Sequence, residues 1–410
     1  MLSAVAVVAA LVAMLAFAPF ASATSDPVAS GTTTVKLNKG FVKKLKNSGV
    51  KVLKLSPAGV KGSTVTLPVS GGSLDPVSGL GTVEHSGGIK FKAGKKSASV
   101  NTLVLDTTTG SLNAKVAGKS MKFALVKGFT VARNGFGANV SVSSLKLTGK
   151  AAKQLNKKLG FSGKKKSKGK AKGHKRAAAS KAVQPPFKGN QVLGSSTSET
   201  QPKTVAVLPT GNASLALSAS ALQKLNDIGP HEPGKPGPFS VKLATIAPTR
   251  IVSAGPPPTV AFPIAGGTIS PTASSGVVQT SGGLELVQSL EAAPPPGTKG
   301  VTVLKMGNIW VDLGAKTATV EVTITNEKTA ELNKGSLGRA SIADINLTGA
   351  TITSDAATHT VSVQNASATL QAVTAEVLNS VFVEPIEGKG KGTFAGGDPL
   401  GVFSFTAQTE

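Results

Sequence analysis

Few side chains in this sequence have the spacing that catalysis requires. Asp75, His85 and Ser86 supply the residue types of a serine-hydrolase triad, but the Gly-x-Ser-x-Gly turn that exposes such a nucleophile is missing around Ser86. The segment Gly118-Lys119-Ser120 ends like a phosphate-binding loop, yet Asn113 stands where the first glycine of that loop belongs. The sequence therefore predicts no catalytic residue and a protein that is not an enzyme.

Metal-binding chemistry has equally little support. The chain has no cysteine, which excludes disulfides, thiolate zinc sites, iron–sulfur clusters and cysteine nucleophiles. The four histidines, His85, His174, His231 and His359, are scattered, and no two of them have the short spacing of paired metal ligands. We therefore predict no metal site.

His85 is the one candidate ligand-binding residue. It lies beside Ser86-Gly87-Gly88, in a block that recurs later in the chain with Thr280 at the same place. Two interpretations stay open. The histidine either contacts a ligand directly or helps to hold a ligating group, or it is a strand-end residue whose ring is satisfied by hydrogen bonds.

Positive charge is concentrated in the first half of the chain. The whole chain carries 45 basic and 20 acidic side chains, a net charge of +25. Residues 1–182 hold 31 basic and 4 acidic side chains, whereas residues 183–410 hold 14 and 16. This asymmetry indicates a polyanionic partner for the first half and says nothing about its fold.

The densest part of this charge is the segment Lys164–Lys181, which has nine basic residues and no acidic one. Such a run predicts a solvated insert at about 161–186 that can also bind a polyanion electrostatically. No aromatic residue is interleaved to stack on bases. If the chain is exported, the expected partner is a cell-wall polymer, an anionic lipid surface or extracellular DNA. The candidate contacts are Lys164, Lys165, Lys166, Lys168, Lys170, Lys172, Lys175 and Arg176.

The N-terminus resembles an export signal. Residues 2–20 are almost wholly apolar, and Ala21-Ser22-Ala23 offers the small-x-small pattern that signal peptidase cleaves. The first basic residue is Lys36, so the start of the chain lacks the usual positive side chain. We predict a signal peptide at 1–23 and a secreted or wall-associated product. An uncleaved membrane anchor is the alternative, since about 20 apolar residues can span a bilayer.

The rest of the chain is an internal duplication. Thr64–Pro76 aligns with Thr259–Pro271, and Gly81–Ile89 aligns with Gly276–Leu284 at the same offset. Further blocks keep their order along the chain: Val35–Leu37 with Leu215–Leu217, Leu103–Asp106 with Ile309–Asp312, and Phe187–Gly194 with Phe394–Gly401. A fixed order of matching blocks is typical of repeats, and it predicts homologous domains at 31–207 and 211–410.

Most of these blocks have the composition of β-strands. They are short, rich in β-branched residues and separated by Gly, Pro and Asn. A second pattern, a strand followed by about ten helical residues, recurs at Val35–Lys46, Leu145–Leu159, Leu215–Asp227 and Thr319–Asn333. The sequence therefore predicts a mainly β protein of two tandem homologous domains, each a β-sandwich or barrel with a few short helices.

These motifs resemble a known family. The block Gly81–Ile89 with the Leu105-Asp106 strand and the closing Phe394–Gly401 pattern are similar to the HtaA domain of actinobacteria. So are three helices that carry a Leu-Asn pair, at Leu155-Asn156, Leu225-Asn226 and Leu378-Asn379. The resemblance implies an exported, mostly β domain, often in tandem copies, whose characterised members bind haem at the cell surface. It also implies an iron-ligating tyrosine assisted by a histidine. The histidine corresponds to His85, but this chain has no tyrosine.

Two functions follow from these observations. The first is a non-enzymatic surface or wall protein whose basic half binds a polymer or another partner. The alternative is a haem-binding protein of a haem-acquisition system, with haem as its cofactor. In that case we expect the site in the first repeat, with His85 as the direct iron ligand in place of the missing tyrosine.

Overall fold

The structure is a computed structural model, and it describes residues 25–161, 184–226, 239–255, 257–290, 301–326, 334–383 and 393–410. The chain divides into two compact units, Met1–Gln201 and Pro202–Glu410. The predicted signal peptide, the lysine-rich segment, His174 and His231 all lie outside the described residues. Within those residues, no helix is long and apolar enough to cross a membrane.

The first unit is built mainly from strands. Its elements are β1 (Asp26–Leu37), α1 (Lys39–Asn47), β2 (Val50–Leu55), β3 (Gly59–Lys61), β4 (Thr64–Leu74), β5 (Gly81–Ala93), β6 (Lys96–Asp106), β7 (Ser111–Val116), β8 (Lys119–Asn134), β9 (Gly137–Leu147), α2 (Gly149–Leu159) and β10 (Val192–Pro202).

The second unit has a similar order of elements with additional strands. Its elements are β11 (Val205–Ala206), β12 (Asn212–Leu217), α3 (Ala219–Asn226), β13 (Phe239–Ile246), β14 (Arg250–Ser253), β15 (Thr259–Ile269), β16 (Gly276–Thr280), β17 (Gly283–Leu290), β18 (Thr302–Asp312), β19 (Thr317–Asn326), β20 (Gly335–Asn346), β21 (Thr351–Asp355), β22 (Thr360–Leu370), α4 (Ala372–Leu378), a π-helical turn at Asn379–Val383 and β23 (Pro399–Gln408).

Each unit closes into an antiparallel barrel of eight strands. In the first barrel β4 pairs with both β1 and β5, and the order β5-β6-β7-β8-β9-β10-β1 completes the ring. In the second barrel the ring is β12, β15, β16, β18, β19, β20, β22 and β23, closed because β16 pairs with both β15 and β18. Of the two architectures that the sequence allowed, sandwich or barrel, the structure shows the barrel. Closure leaves no strand of the ring with an unpaired edge.

Short helices cover one end of the first barrel, which we call its helix-capped end. Asn38 caps α1, because its side-chain oxygen accepts the Phe41 N–H at 3.2 Å. Thr148 caps α2 in the same way, through the Ala151 N–H at 3.2 Å. The buried face of α2 consists of Ala151, Ala152, Leu155 and Leu159.

The second barrel has an equivalent helix-capped end. There α3 and α4 follow β12 and β22, as α1 and α2 follow β1 and β9. Ser218 occupies the capping position of α3, where its hydroxyl lies 3.4 Å from the Ala221 nitrogen. The sequence also predicted a strand followed by a helix at Thr319–Asn333. Residues 317–326 form β19, and the helical part of that prediction, 327–333, lies outside the described residues.

The glycine pair after His85 bends β5. The pairing of β5 with β6 shifts register between His85 and Gly88, as at a β-bulge. Gly88 has φ +153°, and a Cβ atom there would lie 2.2 Å from the Val100 carbonyl oxygen. Glycine is therefore required where the strand turns around the barrel, and Gly283 makes the same close approach, to the Met306 carbonyl.

Candidate functional site

His85 lies inside the first barrel, in a buried polar cluster. Only 6% of the residue is exposed. Its Nε2 atom lies 2.6 Å from the Thr33 hydroxyl, which is in turn hydrogen-bonded to the Ser198 hydroxyl at 2.7 Å. Its Nδ1 atom lies 3.1 Å from the Leu103 carbonyl oxygen. Three strands, β1, β5 and β10, thus bring together one imidazole and two hydroxyls.

The environment of this ring favours the neutral form. Burial lowers the pKa of His85 below its ordinary value, and the hydrogen bond to the Leu103 carbonyl opposes that shift only in part. Because a carbonyl only accepts hydrogen bonds, Nδ1 carries the proton, and in the neutral ring Nε2 has the lone pair. Nε2 faces the Thr33 oxygen at 2.6 Å, and the Thr33 hydroxyl donates its own proton to Ser198.

A small cavity of about 50 Å³ lies beside this cluster. Aromatic rings fill the helix-capped end next to it. The Phe187 ring packs edge-on against Phe41, with centroids 6.1 Å apart, and against Phe91, at 5.0 Å. Phe41 and Phe91 are 2% and 1% exposed. We call these three rings the aromatic plug, and they leave little free volume in the first barrel.

The structure does not assemble a catalytic triad from the sequence candidates. The Asp75 carboxylate accepts hydrogen bonds from the Val77 N–H and the Ser78 hydroxyl. The Ser86 hydroxyl lies 3.5 Å from the Pro68 carbonyl, while His85 faces Thr33. In the described ranges, moreover, no three His, Asp or Glu side chains gather closely enough to hold a metal ion.

The second barrel keeps the backbone contacts of this site and loses its polar side chains. The Thr280 hydroxyl donates to the Ile309 carbonyl at 2.9 Å, as the His85 ring does to the Leu103 carbonyl. The positions of Thr33 and Ser198 are taken by apolar residues. Gly31 lies against the Glu199 carbonyl in the first barrel, and Gly211 lies against the Thr406 carbonyl in the second. Counting two residues on from these glycines puts Ala213 at the Thr33 position. Counting one residue back from these carbonyls puts Phe405 at the Ser198 position, and Ala213 and Phe405 are paired across the strands.

The aromatic plug is also reduced in the second barrel. Counting from the helix caps Asn38 and Ser218 puts Ala221 at the Phe41 position. Counting from Gly88 and Gly283 puts Leu286 at the Phe91 position. Of the three rings only Phe187 has an aromatic counterpart, Phe394, which Asn379 holds through its backbone as Asn156 holds Phe187.

A larger apolar cavity occupies the helix-capped end of the second barrel. Its volume is about 140 Å³. Apolar side chains from α3, α4 and the barrel strands form most of its wall, and Phe262 and Phe403 lie on it deeper in the barrel. Lys224 and Asp398 border it and form an ion pair at 2.6 Å.

The eight candidate polyanion contacts, from Lys164 to Arg176, lie outside the described residues. Among the described residues, the helices of the first unit are basic as well. Lysines occur on both helices that cap the first barrel, at Lys39, Lys43, Lys44 and Lys46 of α1 and at Lys150, Lys153, Lys157 and Lys158 of α2. The helices α3 and α4 carry one lysine, Lys224, and one acidic residue, Glu376.

Sequence reasoning found His85 but missed its partners and the second cavity. Thr33 and Ser198 are polar residues on the inner face of their strands, where alternation rules expect apolar side chains. The available signal was the run of Ser196, Ser198 and Thr200 at a spacing of two, and all three are buried. For the cavity, the signal was the loss of phenylalanine at Ala221 and Leu286 in the aligned blocks.

Comparison with known proteins gives a family for part of the chain. The HtaA family model, described as Htaa, matches residues 246–384. No curated protein matches the chain. Three solved structures from Corynebacterium glutamicum are similar to it at low identity.

The first is the C-terminal domain of HtaA, with 13% identity, a TM-score of 0.29 and coverage of 43% of this chain and 99% of that domain. The heme binding protein HtaB has 13% identity, a TM-score of 0.31 and coverage of 50% and 95%. The N-terminal domain of HtaA has 11% identity, a TM-score of 0.30 and coverage of 49% and 98%. The family match, which lies within the second unit, shows that this chain contains an HtaA domain at residues 246–384.

Proposed function

We propose that this chain is a non-enzymatic ligand-binding protein of the haem-acquisition type, built from two HtaA-type barrels. The observation that carries the proposal is the family match over 246–384. The first barrel has the same strand order, and its glycines make the same close approaches, which supports a second copy of the domain. We further infer export, on the basis of the apolar run that ends at Ala23.

Haem is the ligand that this proposal puts first. HtaB, a similar structure, is described as a heme binding protein. Among the alternatives raised by the sequence, the family match thus favours haem over a wall polymer. It assigns no iron ligand in this chain.

The residues around His85 do not fit a haem group. The iron-binding lone pair of Nε2 faces the Thr33 hydroxyl at 2.6 Å, and the adjoining cavity holds only about 50 Å³. Pockets for ligands of drug size usually measure about 300–1,000 Å³. The chain also has no tyrosine to serve as the ligand that the family resemblance implies. We therefore infer that His85 is a structural residue and that haem contacts other side chains.

A haem titration of the full chain tests both statements. We expect saturable growth of a Soret band for the wild-type protein. His85→Thr is the matched variant, because Thr280 bonds the equivalent carbonyl in the second barrel, and we expect its haem affinity to change less than about twofold. Absence of saturable binding in the wild type contradicts the haem-binding function. Loss of binding in a folded His85→Thr protein would instead identify His85 as a ligand.

A second candidate function is the binding of an anionic polymer by the first barrel. It is favoured by the eight lysines on α1 and α2, which lie on the two helices that cap one end of the barrel. Lysines that neutralise phosphates release counterions, so affinity for polyphosphate should fall steeply with salt. Deletion of residues 164–181 should flatten that dependence. Binding that does not weaken as salt is raised, or no binding at low salt, contradicts this function.

A further inference from the structure

We propose that the helix-capped end of the second barrel is a binding site for a small uncharged hydrocarbon molecule of about the size of benzene. This inference is independent of haem, since it concerns the barrel interior and requires no iron ligand. It rests on the 140 Å³ cavity, on the residues that create it and on the chemistry of its wall.

The cavity exists because bulky residues of the first barrel have smaller counterparts here. Phe41 corresponds to Ala221 and Phe91 to Leu286, as the helix caps and strand glycines establish. A third ring, Phe123, corresponds to Ile342. The N–H of Thr148, directly after β9, donates to the Phe123 carbonyl, and the N–H of Gln371, directly after β22, donates to the Ile342 carbonyl. The end of the barrel that an aromatic plug fills in the first unit is therefore partly empty in the second.

The wall selects an apolar occupant. The side chains around the space are mostly leucine, isoleucine, valine, alanine and phenylalanine, and the polar ones are Ser220, Lys224, Thr374 and Asp398. The charged pair is already satisfied, because Lys224 Nζ donates to Asp398 at 2.6 Å. A polar ligand would lose its hydrogen bonds to water against this almost wholly apolar wall, whereas a hydrocarbon has no such hydrogen bonds to lose.

The volume sets the size of the occupant. An engineered apolar cavity of about 150 Å³ in another protein stays dry and binds benzene or xenon. The 140 Å³ here is nearly the same. It lies below the roughly 300 Å³ at which pockets for drug-sized ligands begin, so larger ring systems are excluded.

The helix α3 provides a route of entry. Ala221, Leu222 and Leu225 of α3 line the cavity, yet no residue of this helix is fully buried. The equivalent helix α1 buries Phe41 and Leu45 almost completely. Displacing α3 therefore exposes less apolar surface than displacing α1, which makes local opening at this end of the second barrel less costly.

The test uses benzene and the intrinsic fluorescence of the full chain. Trp310 is the only tryptophan and lies in β18 of the second barrel, so its emission reports unfolding of that barrel. A ligand that binds only the folded form raises the unfolding temperature, and we expect a rise of about 3 °C or more at saturating benzene. The variant Ala221→Phe puts into the second barrel the ring that Phe41 supplies in the first. Because this ring fills the cavity, it should abolish the rise in unfolding temperature.

Two further outcomes decide the proposal. If benzene fails to raise the Trp310 midpoint of the wild type, or raises that of Ala221→Phe equally, the cavity is not the binding site and the proposal is wrong. If Ala221→Phe does not fold, Ala318→Leu replaces it, since Ala318 also lines the cavity. The matched control is Phe41→Ala, which alters the first barrel only and should leave the response of Trp310 to benzene unchanged.

Discussion

The two barrels share a strand order but place their bulky and polar side chains at different levels of the interior. In the first barrel phenylalanines fill the helix-capped end, and a polar cluster of Thr33, His85 and Ser198 lies farther from the helices. In the second barrel the helix-capped end contains the 140 Å³ cavity. Phe403 and Phe405 lie farther from the helices, with ring centroids 5.9 Å apart. The interior of an eight-stranded barrel is just wide enough to be filled by side chains. Large side chains at one level of the barrel can therefore be accompanied by small ones at another.

This difference shows which features the fold itself requires. Both barrels keep the close-approach glycines, a capping side chain on their first helix (Asn38 or Ser218) and the asparagine that holds the closing segment, Asn156 or Asn379. The contents of the interior are free to vary, because packing depends on total volume more than on the position of any one ring. The two barrels therefore differ in the side chains that fill them, and single substitutions can test each difference.

The largest effect is expected at Phe41, in the aromatic plug. Phe41→Ala gives the first barrel the side chain that α3 of the second barrel carries, and removal of a buried phenylalanine ring costs about 3–5 kcal/mol of unfolding free energy. Urea unfolding followed by circular dichroism should show the loss, while the transition reported by Trp310 stays in place. The reverse change, Ala221→Phe, fills an existing cavity and should alter stability by about 2 kcal/mol at most. A loss below about 1 kcal/mol for Phe41→Ala would show that the plug is not what stabilises this end.

The fold was largely predictable from the sequence, since period-two alternation and turn residues reveal strands directly. The pattern of a strand followed by a helix at Leu145–Leu159 likewise predicted α2. At Thr319–Asn333 the predicted strand is confirmed by β19, which pairs with β20 from Thr317 to Ile324, whereas the helix predicted after it falls on residues 327–333, outside the described part of the chain.

The interior of each barrel was harder to predict. Which residues meet across a closed barrel depends on strand stagger, and a single sequence does not show the stagger. His85 was recognisable from the repeated block, but its bond to Thr33 joins residues 52 positions apart and could not be inferred. The exchange of Phe41 for Ala221 is visible in the alignment, yet it means a cavity only once both are known to face the same interior.

A smaller effect is expected from the titration of His85. Burial lowers the pKa of the folded-state imidazole, whereas the unfolded chain has an ordinary pKa of about 6.5. Between those two values the unfolded state binds more protons, so stability rises with pH. The first barrel should be most stable above about pH 6.5 and lose up to about 1.4 kcal/mol per pH unit as the pH falls below it.

The variant His85→Thr isolates that contribution. It gives the first barrel the residue of the second, keeps a hydroxyl for the Leu103 carbonyl and removes the titrating ring. We expect the stability difference between pH 7.5 and pH 5.5, measured by urea unfolding with circular dichroism, to shrink in the variant. An equal pH dependence in both proteins would assign it to other groups.

The smallest effect is expected at the ion pair that only the second barrel has. Lys224 pairs with Asp398, whose side chain also accepts the Ala395 N–H at 2.8 Å. Burial opposes ionisation of Asp398, but the hydrogen bond from Lys224, that N–H and the Lys224 charge together lower its pKa. In the first barrel the same positions hold Lys44 and Gln191.

Gln191→Asp should create the missing pair. Gln191 accepts the Lys188 N–H at 3.0 Å, so a carboxylate there can keep the bond that Asp398 makes in the second barrel. Burial and the neighbouring Lys188 charge lower the pKa of Lys44, which means that both disfavour its charged form. A carboxylate nearby should stabilise that charged form. Because such pairs stay partly solvated, we expect a gain of at most about 1 kcal/mol in low salt, declining as salt screens the pair. Urea midpoints at two salt concentrations measure it, with Gln191→Glu as the control for side-chain length. A gain that persists at high salt would mean that packing rather than charge distinguishes the two barrels at this position.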